Sequence, residues 1–222
     1  MSTHDAWFFD GLTPGGATWH YNGHSWLGVR SGSGLTDGSA LSPDSIWAIS
    51  ATDVAHWNGH AWSRTSVQGL LAGCPREPAL CAPGPSGIYA RSPDSIWAVG
   101  TGHRETIGGP VVVLHFNGHH WTRVALNDAA RDPVPGQVIP DGNGGLWIPT
   151  PGFEGRTPSR MLRYSSGHLE FAALPATPGK VLYLNAVAAV LGTRRAIGAA
   201  VTHWGTNPIG AHQSAVILAY GS

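Results

Sequence analysis

Tryptophan recurs along this chain inside the same short frame. STHDAWFFD (2–10), SPDSIWAIS (42–50), SPDSIWAVG (92–100) and GNGGLWIPT (142–150) align on Trp7, Trp47, Trp97 and Trp147. LGTRRAIGA (191–199) continues the column with Ala196 in the aromatic place, giving intervals of 40, 50, 50 and 49 residues. A second column follows the first: WHYNGHSW (19–26), AHWNGHAW (55–62), LHFNGHHW (114–121), LRYSSGHLEF (162–171) and LAYGS (218–222). Trp26, Trp62 and Trp121 close its first three copies. Five degenerate copies of one unit restrict the chain to a repeat architecture, in which neighbouring units bury each other's apolar faces.

The period inside a unit is that of strands. Residues 87–91 (GIYAR) read as a strand ending at a Ser-Pro-Asp-Ser turn, where proline pre-sets φ and aspartate binds nearby backbone. Residues 96–101 form a second, β-branched and aromatic strand, 111–117 a third, and 120–125 (HWTRVA) a fourth. Asn117-Gly118 is a hairpin signal, both positions tolerating φ > 0. No stretch sustains an i, i+3, i+4, i+7 apolar pattern, and 127–131 comes nearest to a helical turn. Glycine (31) and proline (17) are too abundant for a helical protein and suit many short strands joined by turns.

Four antiparallel strands per unit, marked by tryptophan, spell the blades of an all-β β-propeller of about five blades. The approximate blades are 1–37, 38–67, 86–126, 136–175 and 183–222, within a single domain over 1–222. The layout SIWAVG, loop, VVVLHFNGHHWTRV resembles kelch and galactose-oxidase blades, with tryptophan for tyrosine and without the usual glycine pair. VIPDGNGGLWIPT is similar to blades of two-component-regulator and streptogramin-lyase propellers. The column-one indoles are expected to fill the space between blades, with Trp62 and Trp121 clamping the outer strand. The first unit is expected to lack its innermost strand and the last its outermost, as if the natural chain began upstream of Met1. About twenty more residues (one outer and one inner strand) would then close a five-bladed ring.

Charged residues make up 12% of the chain and the formal net charge is zero, which gives no basic face for nucleic acid and no acidic tail. The longest apolar run, 181–192, is too short to span a bilayer and contains Asn185. The N-terminal MSTHDAWFFDG shows no signal peptide; one lying upstream would suit an extracellular or cell-surface protein. Cys74 and Cys81, in GCPREPALC, form a local disulfide in an oxidising compartment or remain two thiols.

The turns between first and second strands, and between third and fourth, are uniform, so His24, His60, His119 and His168 read as turn residues. The other connections vary, and variable loops on a rigid scaffold carry binding. Those nearest the propeller axis offer His103, Arg104, Glu105, Phe153, Glu154, Arg156, Trp204 and His212 as a ligand-binding set, against solvated loop tips as the alternative. No catalytic residue, metal ligand or cofactor is assigned. The galactose-oxidase resemblance implies a copper site whose cysteine is not assembled here, and the lyase resemblance implies a His and Glu arrangement for which His103 with Glu105 is the close pair. The expected function is a non-catalytic scaffold presenting loops to a protein. A glycan-binding propeller, resembling tryptophan-rich lectins, and a metal-dependent lyase or oxidase are the alternatives. Open sheet edges also predict edge-mediated self-association.

Overall fold

The computed structural model describes residues 5–11, 17–32, 34–71, 84–101, 111–126, 135–150, 159–172, 174, 181–190, 192–204 and 212–220. It is an all-β β-propeller of five antiparallel blades, the first and last of three strands and the others of four. The first blade is β1 (Ala6–Asp10), β2 (Ala17–Tyr21) and β3 (Trp26–Val29). The second is β4 (Asp37–Ser42), β5 (Ser45–Ile49), β6 (Asp53–Trp57) and β7 (Trp62–Ser66). The third is β8 (Gly84–Ser92), β9 (Ser95–Thr101), β10 (Val111–Phe116) and β11 (Trp121–Arg123). The fourth is β12 (Ile139–Pro140), β13 (Leu146–Thr150), β14 (Arg160–Ser165) and β15 (His168–Ala172). The fifth is β16 (Val181–Ala189), β17 (Ala196–Trp204) and β18 (His212–Tyr220). No helix among the described residues is long and apolar enough to cross a membrane.

The chain divides into two compact units, Met1–Val124 with the first three blades and Ala125–Ser222 with the other two. In the first unit, one rule builds both seams between blades. The column-one indole of a blade lies against an aromatic pair that faces across the third-to-fourth-strand hairpin of the next blade. Trp7 sits 5.2 Å from Trp57 and 5.5 Å from Trp62, centroid to centroid. Trp47 sits 5.0 Å from Phe116 and 6.1 Å from Trp121. Ile88, Ala98 and Leu114, adjacent in register across β8, β9 and β10, complete the second seam. In the second unit Trp147 packs with Leu182, Leu184, Val187, Ala196 and Leu218 of the fifth blade. Trp47, Trp121 and Trp147 are buried and Trp7, Trp62 and Trp97 partly so, whereas Trp26 is 50% exposed.

Side chains also stitch these seams by capping backbone N–H groups on the unpaired edge of the neighbour's innermost strand, which would otherwise lack an acceptor. Asp37 Oδ2 accepts from Ile88 N (3.3 Å) and Ser39 Oγ from Ala90 N (2.9 Å). In the second unit, Gln137 Oε1 accepts from Val187 N (3.1 Å) and Ser159 Oγ from Leu184 N (2.7 Å).

The heptapeptide and the Asn-Gly-His turn are paired devices. Gly59 (φ +88°) and Gly118 (φ +90°) each stand where an added Cβ would lie 3.1 Å from the Cβ of Asp44 or Asp94, in the adjacent Ser-Pro-Asp-Ser turn. Both the backbone conformation and the close approach therefore demand glycine there.

Four details depart from the sequence reading. The Asn of Asn-Gly-His is not in the left-handed region; Ser166 is the one described non-glycine residue with positive φ. The loops are four residues long, and the Asn side chain closes them instead: Asn117 Oδ1 accepts from His119 N and His120 N, as Asn22 and Asn58 do in their own turns. The innermost strand of the third blade runs from Gly84 to Ser92, with register shifts at Pro85/Gly87 and Ala90/Ser92. Its outermost strand is only Trp121–Arg123.

The fourth departure concerns the last copy of the aromatic column. In register, Ala98 faces Ile88, whose N–H is capped from the second blade, and Gly198 faces Val187, whose N–H is capped from the fourth. Gly198 thus answers to Ala98, and Ile197, not Ala196, occupies the place of Trp97. A one-residue slip turns a side chain to the opposite face: Ala196 is fully buried and Ile197 is 47% exposed. Cys74, Cys81 and residues 127–131 lie outside the described residues.

Candidate functional site

Of the loop residues singled out by sequence, His103, Arg104, Glu105, Phe153, Glu154 and Arg156 lie outside the described residues. Trp204 and His212 are backbone partners at the far ends of β17 and β18, so the variable loop between them opens from that end of the fifth blade. His24, His60, His119 and His168 are exposed at hairpin turns. The first three follow an Asx-closed Gly, and His168 opens β15 after a Ser166-Gly167 turn with φ of 51° and 84°.

A second histidine column carries more structure. His20, His56 and His115 face Trp7, Trp47 and Trp97 directly across the central strand pair. Each imidazole stacks on its indole, with centroids 4.4, 4.2 and 4.1 Å apart. The residue two before each indole meets the imidazole edge. His20 Nε2 donates to Asp5 Oδ2 at 3.1 Å, and the Nε2 atoms of His56 and His115 lie 3.2 Å from Ser45 Oγ and Ser95 Oγ. In the fourth blade the place belongs to Arg163, whose guanidinium lies 5.5 Å from the Trp147 ring centroid and bonds Asp141 Oδ2 through Nε (3.1 Å) and Nη2 (3.0 Å). Asp141 is buried and also accepts from Asn143 N and Gly145 N.

Burial pushes the pKa of His56 and of His115 down, with the Asp94 carboxylate partly opposing this at His115. Those two imidazoles are thus held neutral beside hydroxyls, while the first and fourth blades supply a carboxylate instead. A Ser–His contact is the beginning of a nucleophile–base pair. Its repetition in two blades, with an Arg–Asp replacement in a third, assigns the position to packing. This column was legible as a strand alternation but not as a stack, because the indole and imidazole come from different strands.

Two clefts of about 250 Å³ lie between blades within the units. The first is walled by β1 and β4 and lined by Asp5, Trp7, Phe9, Ser39, Ser42 and Ile46, among others. Its aromatic wall depends on Gly38, where an added Cβ would stand 2.5 Å from the Phe9 ring. The second lies where β16 bulges between Leu184 and Ala186, lined by Gln137, Pro149, Leu184, Asn185 and Val187. Among the described residues, no three His, Cys, Asp or Glu side chains gather as a metal site would require.

No protein-family model matches the sequence, and no curated protein matches it. Solved structures do match. The chain is similar to YCF48 from Cyanidioschyzon merolae, with a TM-score of 0.53 at 13% identity over 97% of this chain and 73% of that one. It is also similar to the extracellular domain of BT4673 from B. thetaiotaomicron, with a TM-score of 0.52 at 11% identity over 94% of this chain. It spans 27% of that longer chain. At such identities the likeness is one of fold.

Proposed function

We propose that this propeller is a non-catalytic scaffold working outside the cell, holding a protein partner on the variable loops between its second and third strands. One observation carries this reading. The titratable side chains repeated inside the blades are consumed in structure, the imidazoles of His20, His56 and His115 stacked on indoles and hydrogen-bonded to Asp5, Ser45 and Ser95. The features left to vary are the loops, where a rigid scaffold places recognition. The likeness to an extracellular domain supports the location. His103, Arg104 and Glu105 in one loop, and Phe153, Glu154 and Arg156 in another, supply the mixed charge and aromatic surface such a face uses, with Trp204 and His212 flanking a third.

The test is affinity capture with the intact chain and with a variant whose 102–110 and 151–158 loops are replaced by Gly-Ser segments of equal length. A partner retained by the first and lost by the second, at unchanged circular dichroism, supports the scaffold. Equal retention by both removes the loop face from consideration.

A carbohydrate-binding reading draws on the β1/β4 cleft, where Trp7 and Phe9 stand with Asp5, Ser39 and Ser42. Aromatic surface beside carboxylate and hydroxyl groups suits a sugar ring. A glycan array decides it: binding that disappears in Ser39→Ala and Ser42→Ala favours the sugar, and an array blank for the intact chain rejects it.

A further inference from the structure

The seam between the first and second blades repeats the one between the second and third, and both lie within Met1–Val124. Gly34 approaches the Gly11 carbonyl as Gly84 approaches that of Ala51: an added Cβ would stand 2.9 and 2.6 Å from those oxygens. One strand differs. In the second seam β4 pairs with β5 and packs on β8, where its Asp37 and Ser39 cap Ile88 N and Ala90 N. The first blade opens on β1, the counterpart of β5, which pairs with β2 along one edge and with no described strand along the other. The cleft of about 250 Å³ walled by β1 and β4 lies where the counterpart of β4 would run.

The other blades say what this cleft offers. Ile88 N and Ala90 N turn away from β9, so the bonded pairs of that ladder are Gly87 with Val99 and Tyr89 with Trp97. The corresponding main-chain groups on β1 are those of Phe9 and Trp7, aimed into the cleft. On the opposite wall, Gly38 and Ala40 stand in register with Ala48 and Ile46 as Ile88 and Ala90 do with Ala98 and Ile96. Asp37 Oδ1 already accepts from Gly38 N (2.9 Å). Ala40 N is then the donor in the place that Ser39 caps on the third blade. Burial agrees: no residue of β4 is fully buried, whereas Pro85, Gly87, Ile88 and Ala90 of β8 are.

We infer that the first blade takes its fourth strand from a partner protein: an extended peptide antiparallel to β1, with a serine or threonine opposite Trp7 whose hydroxyl accepts from Ala40 N. Main-chain bonds to Trp7 and Phe9 supply the affinity and the hydroxyl fixes the register. The eighteen described strands each hold a place in their own blade, so a second copy would have to unpair one of its strands to lend it. Met1–His4 are too few for a turn and a returning strand. The inference rests on the scaffold reading only for the premise of a protein partner, and puts the contact on a strand edge.

The probe is a fluorescein-labelled peptide, Leu-Thr-Asp-Gly-Ser-Ala-Leu-Ser, copied from residues 35–42 and titrated by fluorescence polarisation. The intact chain binds it saturably. Affinity falls roughly two- to tenfold when the serine copied from Ser39 becomes alanine, and about tenfold or more when that residue is N-methylated. Ala40→Pro, which lacks the donor, binds the serine and alanine peptides alike. Hydrogen exchange places the contact, with the Trp7 and Phe9 amides slowed by the peptide. The chain with replaced 102–110 and 151–158 loops binds the peptide unchanged, so failure of the loop face and failure of this site are read separately. Should Ala40→Pro lose its fold, the N-methylated peptide and the exchange pattern decide. The proposal is overturned by an intact chain that does not bind, by serine preference surviving in a folded Ala40→Pro, or by protection falling on β7 or β11 instead. Trp7 and Phe9 amides already protected in the free chain, by its own residues or a second copy, overturn it equally.

Discussion

Trp47 is the indole on which the second seam turns, and its truncation is the most direct measure of how these blades hold together. Only 8% of it is exposed, between His56 on its own sheet and Phe116 and Trp121 on the next. A buried indole removes roughly 200 Å² from water, which at about 25 cal/mol per Å² is about 5 kcal/mol. Against that, Nε1 of Trp47 is buried with no hydrogen-bond acceptor among the described residues, a desolvation cost of about 1–3 kcal/mol that truncation relieves. Trp47→Ala should therefore lose about 3 kcal/mol, near the low end for aromatic truncations. Trp47→Phe keeps a ring over His56 and removes the orphaned N–H, so it should lose only about 1 kcal/mol. Urea unfolding followed by circular dichroism, with m-values compared to establish a common unfolding process, measures both. A Trp47→Ala protein within 1 kcal/mol of the parent, or a Trp47→Phe protein as damaged as Trp47→Ala, would refute the seam as drawn.

Acid should weaken the fold through His56 and His115. Their folded-state pKa values lie below the ordinary one, so the unfolded chain takes up protons first. The stabilisation is full above about pH 6.5 and is lost as pH falls from there through the lower folded-state values. The urea midpoint should drop between pH 7 and 5, and the double variant His56→Gln/His115→Gln should flatten the drop. Asp37 has the opposite sign: burial raises its pKa, outweighing the bonds from Gly38 N and Ile88 N, so its cost is present above the carboxylate range and fades on acidification. Asp37→Asn keeps an acceptor for Ile88 N and should remove that contribution, seen as a changed slope of midpoint against pH between 4 and 6. Gly118→Ala meets both a positive φ and the Asp94 side chain, and should cost more than about 1 kcal/mol in the same urea assay. Asp141→Ala strips Arg163 and two backbone N–H groups of their shared acceptor. With Arg163 32% exposed, the loss should fall below the range for fully buried pairs, at about 2–3 kcal/mol, and a smaller effect of Arg163→Met would place the weight on the turn.

The hairpins were legible because their signals are local. Ser-Pro-Asp-Ser and Asn-Gly-His fix turns within four residues, and the indole column fixes the spacing of the strands between them. The last blade was misaligned by one position because Gly-Thr-Arg-Arg carries neither the proline nor the aspartate that anchors the earlier turns, and Ile197 carries no indole. The capping of Ile88 N by Asp37 and of Val187 N by Gln137 joins residues 51 and 50 apart, a distance over which nothing in a single sequence marks a partner. The imidazole stacks were hidden for a related reason: histidine on a strand reads as a polar residue until the opposite strand supplies an indole. The loop residues proposed for recognition follow from the variability of their segments, which identifies a surface without identifying what it grips.

The caps from Asp37, Ser39, Gln137 and Ser159 all land on main-chain amides, groups that every residue except proline possesses. Adjacent blades consequently recognise one another through atoms that substitution leaves in place. These bonds ask of the receiving strand only that proline stay out of those positions and that spacing be kept, while burial of Ile88, Ala90, Leu184 and Val187 keeps the side chains there apolar. A gene that grows by copying such a module can diverge without losing the join, which accounts for a fifth copy that carries neither the proline nor the aspartate of the earlier turns and still packs against the fourth.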